Sequence, residues 1–596
     1  MKRLELTIAG RVQGVGFRPF LYQLARKYHL TGCVSNTPGG VSLQVQGTRS
    51  NLLCFLRQIR TTSPPQGKVQ RIAVKALPVV ADETDFVIAA SQTDGAVTAV
   101  LPPDLATCEQ CLQEIMAPEN RRHRYPFTNC TDCGPRFTIV QALPYDRHMT
   151  TMAGFNMCEA CGREYHSPSD RRFHAQPNAC PRCGPSLRLL IPDQATGKLR
   201  RESRVDPLAT TVTAFKEGQL AVIKGLGGYH LAAAATNLSA VERIRRIKGR
   251  EGKPLAIMCR DLEQVKMICA VAPGEIALLT ASARPIVILR KLDSPQIRLA
   301  EAVAPGQDSV GVMLPYTPLH HLIMEAFDQP LVMTSANQGD QPIAITEDEL
   351  VPELLREVAV VLSHNRPIAA RCDDSVVIAA PEQIFLRRSR GYVPEPLSIL
   401  PFRQALGIGA DFKNTACFIR DREAYFTQHI GNLDDEPAQN AARQGIEHMS
   451  RLFDLHPEVV GCDLHPEYRS RQYAATLDLP LVTVQHHHAH ILSCMAEHRL
   501  TGPVLGVAFD GTGFGTDGTI WGGEFLVADY TGFTRAAALR PVGMPGGERV
   551  VREPWRMALS YLYEIFGSQI PDFPGLERLY NCGGDLLLPL LIQRLN

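Results

Sequence analysis

Neither sign of charge is in excess in this chain of 596 residues: 62 lysines and arginines face 61 aspartates and glutamates, a formal net charge of +1. That balance excludes a protein that coats nucleic acid through bulk positive charge, and 45% apolar residues exclude a chain too polar to fold. Long apolar runs are missing as well. No uninterrupted stretch reaches the roughly 18 residues that span a bilayer, and the longest candidate, LLLPLLI at 586–592, is short and carries a proline. The N-terminus lacks the apolar core of a secretory signal and instead alternates Leu4, Leu6 and Ile8 with polar neighbours, the pattern of a first strand. A disulfide framework is also missing. Seventeen cysteines is an odd count, eight of them stand in four Cys-x2-Cys pairs and the other nine are scattered singly. Such usage belongs to metal binding in a reducing compartment and predicts a cytoplasmic protein with no membrane partner.

At roughly 150 residues per domain, the length predicts about four domains, in a mixed α/β and α+β architecture. Residues 1–91 show strand patterns at 4–8, 41–46 and 85–88 and helical patterns at 18–30 and 50–59, an order that suggests a β-α-β-β-α-β ferredoxin-like sandwich. Over 104–188 apolar periodicity nearly vanishes and Cys, Pro, Arg and Gly take over, so no hydrophobic core can hold that segment. The polar stretch PDQATGKLRRESR at 192–204 reads as a linker. An α/β domain is expected over 205–393, and after the punctuation PEPLSILPF another strand-rich domain over 402–596.

The cysteine-rich segment contains a duplication with a 50-residue period. Cys108, Cys111, Cys130 and Cys133 recur as Cys158, Cys161, Cys180 and Cys183, Arg121-Arg122 as Arg171-Arg172, and Cys-Gly-Pro at 133–135 as 183–185. Each half reads Cys-x2-Cys-x18-Cys-x2-Cys, four soft thiolates for a tetrahedral zinc ion. Two structural four-cysteine zinc sites are predicted, with pairing inside each half favoured and an interleaved pairing left open. The arginines between the knuckles (Arg121, Arg122, Arg124, Arg163, Arg171, Arg172) suit nucleic acid, another domain or a solvated face.

Gly14, Val15, Gly16 and Phe17 lie between the first strand and first helix, where free backbone N–H groups and a helix dipole favour an anion, and Arg18 can clamp it. The string RVQGVGFR at 11–18, followed by Gly32-x-Val34-x-Asn36, resembles the acylphosphatase family. By that resemblance Arg18 binds the phosphate of an acyl phosphate and Asn36 orients the attacking water.

In the central domain, Gly225-Leu226-Gly227-Gly228-Tyr229 and Lys248-Gly249-Arg250 put glycines and cations in separate loops, as a triphosphate requires. With Pro315-Tyr316-Thr317-Pro318, Thr334-Ser335-Ala336-Asn337 and Asp373-Asp374-Ser375, the pattern resembles the YrdC-like carbamate-adenylating family. The resemblance implies that Lys248, Arg250, Ser335 and Asn337 hold Mg-ATP, that Tyr229 lines the carbamoyl pocket, and that Arg387 and Ser389 contribute.

Near the C-terminus, His486-His487-His488-Ala489-His490 follows a strand. A helix starting there places His486 and His490 at i and i+4 on one face, suited to a divalent metal such as zinc or iron. The run Leu505–Phe509 reads as a buried strand that ends in Asp510-Gly511-Thr512-Gly513, a carboxylate and glycines fit for a magnesium-nucleotide phosphate. The arrangement resembles the actin-like ATPase (ASKHA) domain of threonylcarbamoyl- and O-carbamoyltransferases, with Gly409–Asn414 as its first phosphate hairpin and His486 and His490 as ligands. That family's domain continues past the position of Asn596 with a glycine-rich adenosine segment and a further aspartate, so a C-terminally incomplete domain is expected here.

Acylphosphatase-like, double zinc, YrdC-like and carbamoyltransferase-like domains in this order resemble the carbamoyltransferases of [NiFe]-hydrogenase maturation. That resemblance implies cleavage of carbamoyl phosphate, formation of carbamoyl adenylate from ATP, and transfer of the carbamoyl group to the C-terminal cysteine of a HypE-like partner. Because carbamate and acyl adenylates decompose in water, the zinc module is expected to be a rigid spacer joining the first and third sites in a closed interior. The competing reading is a tRNA-threonylcarbamoylation or RNA-binding protein. It is disfavoured by the +1 charge and the lack of a long basic stripe.

Overall fold

A computed structural model describes residues 1–582 except 65, 93–99, 250–251, 340, 548, 568, 573–574 and 580. Arg250 and the LLLPLLI segment therefore lie outside the described residues. The chain forms two compact units, Met1–Val460 and Gly461–Asn596.

The first unit begins with the sandwich: β1 (Lys2–Arg11), α1 (Phe17–Lys27), β2 (Thr31–Thr37), β3 (Gly40–Gly47), α2 (Arg49–Thr61), β4 (Lys68–Leu77) and β5 (Phe86–Ile88), with sheet order β4-β1-β3-β2-β5. Leu6, Ile8, Val34, Leu43 and Val45 of the sheet bury against Leu21 and Leu24 of α1 and Phe55 and Ile59 of α2. Strand β4 is an addition to the expected order. Its residues are exposed or half-buried throughout, so no period-2 contrast marks it in the sequence. It pairs with β1 through a register shift after Ala9, and Gly10 (φ 121°) permits this, since a Cβ there would stand 2.3 Å from the Lys68 carbonyl oxygen.

The zinc module carries two equivalent short helices, α3 (Glu109–Met116) and α4 (Glu159–His166), each preceded at its N-cap by the first cysteine of a repeat. Arg124 and His174, one repeat apart, share a positive φ of 55°.

The central sheet has eleven strands: β6 (Leu187–Pro192), β7 (Leu199–Glu202), β8 (Ala221–Lys224), β9 (Tyr229–Ala234), β10 (Ile257–Met258), β11 (Ile286–Arg290), β12 (Ser309–Met313), β13 (Leu331–Ser335), β14 (Val360–His364), β15 (Val376–Ile378) and β16 (Ile384–Arg387). Their order is β16-β15-β11-β12-β10-β13-β9-β8-β14-β6-β7, with apolar cores on both faces. The stretch expected as a linker is the edge hairpin of this sheet: β6 and β7 pair antiparallel, and β6 pairs with β14. Polar side chains on an edge hairpin imitate a linker because little of that strand needs burying. Four strands within 397–426 that pair antiparallel with one another, and an 18-residue helix, Glu436–Phe453, complete the unit.

The strand Val460–Asp463 starts at the boundary between the units; in the second unit a strand Leu481–Val484 precedes the helix His486–Glu497, which packs on an antiparallel sheet of Val504–Phe514, Ile520–Asp529 and Gly532–Ala538. Asp510–Gly513, expected as a loop at a strand end, run inside the first of these strands, where the register shifts between Phe509 and Gly513. The turn comes later, closed by Gly515 N donating to Thr519 O. No helix among the described residues is long and apolar enough to cross a membrane.

Candidate active sites and metal centres

The eight paired cysteines gather into two clusters, each made by one repeat. In the first, sulfur atoms of Cys108 and Cys130 lie 3.7 Å apart, Cys130 and Cys133 3.8 Å, and Cys133 and Cys111 3.5 Å; in the second, Cys158 and Cys180 lie 3.7 Å apart, Cys180 and Cys183 3.8 Å, and Cys183 and Cys161 3.6 Å. A tetrahedron with zinc–sulfur bonds of about 2.3 Å has edges of about 3.8 Å, so both clusters fit zinc, and pairing is within repeats.

The arginines cross between the repeats. Arg171 donates to Cys111 Sγ (3.1 Å) and pairs with Glu114 (2.8 Å), while Arg172 also pairs with Glu114 and donates to Asn129 O (3.0 Å). In mirror fashion Arg121 donates to Cys161 Sγ (3.3 Å) and pairs with Glu164 (2.7 Å), and Arg122 reaches Glu164 (2.5 Å) and Ala179 O (3.0 Å). Four thiolates around one dication carry excess negative charge, which the other repeat's guanidinium groups offset. These four arginines are thus paired within the module. Arg163 pairs along its own helix with Glu159 (2.5 Å).

The loop before α1 turns on Gly14 (φ 68°) and Gly16 (φ 70°), and Gly16 stands at the N-cap of α1. A cavity opens on Gly14, Gly16, Phe17, Arg18 and Asn36, whereas the Val15 side chain is buried in the sandwich core. Asn36 is 1% exposed and neither its amide oxygen nor its nitrogen has a partner, which leaves both for a ligand or water. The opposite wall comes from the zinc module: Thr131, Arg136, Tyr145, His174 and Gln176. Arg136, 1% exposed, donates through Nε to Gly14 O (2.7 Å) and otherwise to the carbonyls of Cys130, Thr131, Cys133 and Pro135. Arg18 pairs with Asp146 (3.0 Å) and donates to Ser91 Oγ (3.4 Å). The Gly14–Phe17 loop is therefore roofed by residues more than 100 positions away in sequence.

The same module bonds to the central domain. Ala106 N donates to Ser282 O (2.8 Å), Thr107 N to Tyr316 O (3.2 Å), Ala369 N to Thr138 O (2.7 Å), and Arg366 lies over the Phe127 ring at 5.3 Å. The module thus bonds to both domains that flank it in sequence.

In the central domain, helix α5 (Leu238–Lys248) ends at Lys248, whose buried ammonium gathers the loop after β13. Lys248 donates to Ser335 O (2.7 Å), Ser335 Oγ (3.2 Å), Asn337 O (3.0 Å) and Asn337 Oδ1. Three of the expected nucleotide residues are thus one cluster. Tyr229 is fully buried, its hydroxyl 2.8 Å from Ser363 Oγ, which in turn donates to Glu347 (2.5 Å). Burial pushes its phenol well above the ordinary value. Arg387 pairs with Asp373 (2.5 Å), and Ser389 N donates to Ser375 Oγ (2.7 Å). Beside them Arg390 binds Asp374 (2.5 Å) and stacks 3.4 Å above Tyr316, and His230 Nε2 lies 3.2 Å from Asp374. Burial pushes the Asp374 carboxyl up, but Arg390 and then His230 hold it below the usual carboxylate range. His230 is the register partner of Ser335, so this ionic cluster adjoins the Lys248 loop.

In the second unit the expected helix starts at His486, capped by Gln485, whose Oε1 accepts from His488 N (2.9 Å). His486 Nε2 and His490 Nε2 stand 3.3 Å apart and 2.7 and 3.3 Å from Asp510 Oδ2. Asp510 thus joins the two histidines as a third donor. Asp463, at the end of the strand Val460–Asp463, takes the other His486 nitrogen, Nδ1, at 2.5 Å. That bond holds the ring in place, and two imidazoles and a carboxylate fit a divalent metal with the buttress such sites use. The two carboxylates, Asp463 first, push the His486 imidazole up to about 9.

Family models match nearly every part of the chain: acylphosphatase over 4–88, HypF finger over 107–140 and 157–190, a Sua5/YciO/YrdC model described as telomere recombination over 213–389, HypF Kae1-like domain over 401–497, and the second subdomain of a Kae1-like carbamoyltransferase domain over 506–580. Carbamoyltransferase HypF2 of Cupriavidus necator is 44% identical over 100% of this chain and 76% of its own length; carbamoyltransferase HypF of Synechocystis is 45% identical over 95% and 74%. The chain belongs to the HypF carbamoyltransferase family. Its fold agrees: a crystal structure of full-length HypF in a phosphate- and nucleotide-bound form superposes with a TM-score of 0.92 at 42% identity, covering 100% of this chain and 77% of that one. HypF from T. kodakarensis gives 0.89 at 36%, over 100% and 78%. Membership makes the chain an enzyme of carbamoyl transfer in hydrogenase maturation.

Sequence reasoning missed Arg136, Tyr145, Asp146 and Asp463. None stands in a motif of its own, and each acquires its role from a partner distant along the chain.

Proposed function

We propose that three sites act in series. At the first, Arg18 holds the phosphate of carbamoyl phosphate and Asn36 orients water; water adds and the bond to phosphate breaks, giving carbamate and inorganic phosphate. At the second, Lys248, Ser335 and Asn337, with Arg250, Arg387 and Ser389, bind Mg-ATP, and the carbamate oxygen displaces pyrophosphate to form carbamoyl adenylate beside Tyr229. At the third, the carbamoyl group passes to the C-terminal cysteine thiol of a HypE-like maturation protein, with release of AMP, to give the precursor of a cyanide ligand. Asp510–Gly513 serve the nucleotide phosphate there. His486, His490 and Asp510 would hold zinc or iron, which supplies positive charge when bound, while Asp463 holds the His486 ring in place. The two four-cysteine sites hold structural zinc.

The observation that carries this reading is the roof over the phosphate loop. One module bonds both to Gly14 and Arg18 and to the loops of the central domain, which supports a sheltered route for a water-labile carbamate. The test is nucleotide product analysis with ATP and magnesium, with and without carbamoyl phosphate. AMP and pyrophosphate are expected only when carbamoyl phosphate is present, and are lost in Arg18→Ala and in Lys248→Ala. ADP as product, or AMP that depends on threonine and bicarbonate, would overturn the reading in favour of tRNA modification.

A further inference from the structure

The phosphate end of the substrate is served by the 14–17 loop and Arg18, and the water by Asn36. Nothing in that set distinguishes a carbamoyl group from any other acyl group. Of the polar side chains on the zinc-module wall, His174 is half-buried with its ring against Tyr165 (centroids 5.0 Å apart) and Phe173 (4.7 Å), and three others are taken up by protein partners. Arg136 is committed to five backbone carbonyls. Gln176 Oε1 accepts from Arg147 N and from the Tyr165 hydroxyl, both at 2.8 Å, and its Nε2 donates to His174 O (3.1 Å). Thr131 Oγ1 donates to Arg171 O (3.2 Å). Among the described residues that line the cavity, only Asn36 and Tyr145 have buried side-chain polar atoms with no partner.

We propose that the Tyr145 hydroxyl reads the amino group of carbamoyl phosphate and so sets the acyl specificity of the first site. The inference rests on carbamoyl phosphate being the substrate there. Tyr145 is 2% exposed, its ring carbons lie 3.3 Å from where a Cβ on Gly14 would stand, and its backbone N–H is held by Gln13 Oε1 at 3.1 Å. One edge of the ring therefore lies against Gly14 of the loop. Burial pushes its phenol up to about 12, so it stays a neutral hydroxyl whose oxygen can accept an N–H. A methyl group in place of the amino group matches its size but leaves the buried hydroxyl unpaired, and a polar site rejects an analogue on that ground more strongly than an apolar pocket can. Tyr145 sits between the two repeats and has no counterpart in either, so it is an addition to the duplicated module.

The test compares phosphate release from carbamoyl phosphate and from acetyl phosphate, its methyl isostere, by the full chain carrying both zinc ions. The parent enzyme is expected to favour carbamoyl phosphate in kcat/KM by about tenfold or more. In Tyr145→Phe that preference should fall to near unity, chiefly through loss on carbamoyl phosphate. A preference that Tyr145→Phe leaves intact, or an equal fall on both substrates with two zinc ions retained, would overturn the proposal. Should the variant lose zinc, inhibition of the parent by carbamoylphosphonate and acetylphosphonate decides instead, with equal inhibition overturning it. No release from carbamoyl phosphate by the parent would instead sink the functional reading on which this rests.

Discussion

The two zinc repeats share ligand spacing, helix position, a backbone turn at Arg124 and His174 and a reciprocal exchange of arginines, yet the corner after the fourth cysteine differs. In the first repeat it carries Arg136, buried and bonded to the Gly14 carbonyl; in the second the same position is Ser186, exposed, whose backbone N–H donates to Asn365 Oδ1 (2.8 Å) of the central domain. One corner of a duplicated fold thus plugs into two different neighbours. Their sulfurs differ too: Cys108 alone is half-buried in the first site, whereas Cys158 and Cys183 both are in the second. Duplication made a symmetric, self-compensating pair, and divergence at its corners turned that pair into a joint.

The comparison can be broken at Arg136. Arg136→Ala leaves five carbonyls without their donor and should cost about 4 kcal/mol in denaturant unfolding, with loss of phosphate release at the first site. Next in size is the crossed compensation. Arg122→Ala should cost about 2–3 kcal/mol, less than a fully buried pair because Glu164 is partly exposed, and should loosen zinc in the second repeat; Arg172→Ala should loosen the first. Zinc release to a chromogenic chelator, read in backgrounds lacking Cys158 or Cys108, separates the two, and loosening of the variant's own repeat instead would break the exchange. In the parent protein the same assay should be biphasic, with the second, less buried site emptying first and Cys158→Ser abolishing the fast phase. Acid sharpens the contrast further. Burial pushes the Glu164 carboxyl up, but Arg122 and Arg121 bring it down to about 2, below its unfolded value of 4.5. A depressed carboxylate stabilises above the unfolded value and loses that contribution as pH falls through the folded one. The difference in Tm between the parent and Glu164→Gln should therefore be constant above about pH 5 and close toward pH 2. Smallest of all, Ser186→Ala should shift stability by less than about 0.5 kcal/mol, since only its backbone makes the bond.

What the sequence showed plainly was local. Zinc knuckles, the Gly14–Gly16 cradle and the His486–His490 helix face are specified by spacings of two to four residues, so their chemistry is written contiguously. The gathering of Lys248 with Ser335 and Asn337 was legible only through resemblance, because 87 residues separate the lysine from that loop. Tertiary roles were silent. Asp146 is an ordinary aspartate until the fold brings it 128 residues back to Arg18, and Asp463 is a strand end until His486 arrives beside it. The 199–202 edge strand and Lys68–Leu77 failed as strands for the opposite reason. Their exposure removes the alternation by which strands are recognised.

The roof over the phosphate loop also has a meaning in time. Chains emerge from the ribosome N-terminus first, at roughly 5–20 residues per second, and domains fold as units. The sandwich can close its core as soon as β5 is made, but Gln176, the last residue of the cavity wall, follows on the order of ten seconds later, and the wall is not rigid until zinc is loaded. On a nascent chain the Gly14–Phe17 loop is therefore made before the wall that faces it, and metal supply sets when that wall becomes rigid.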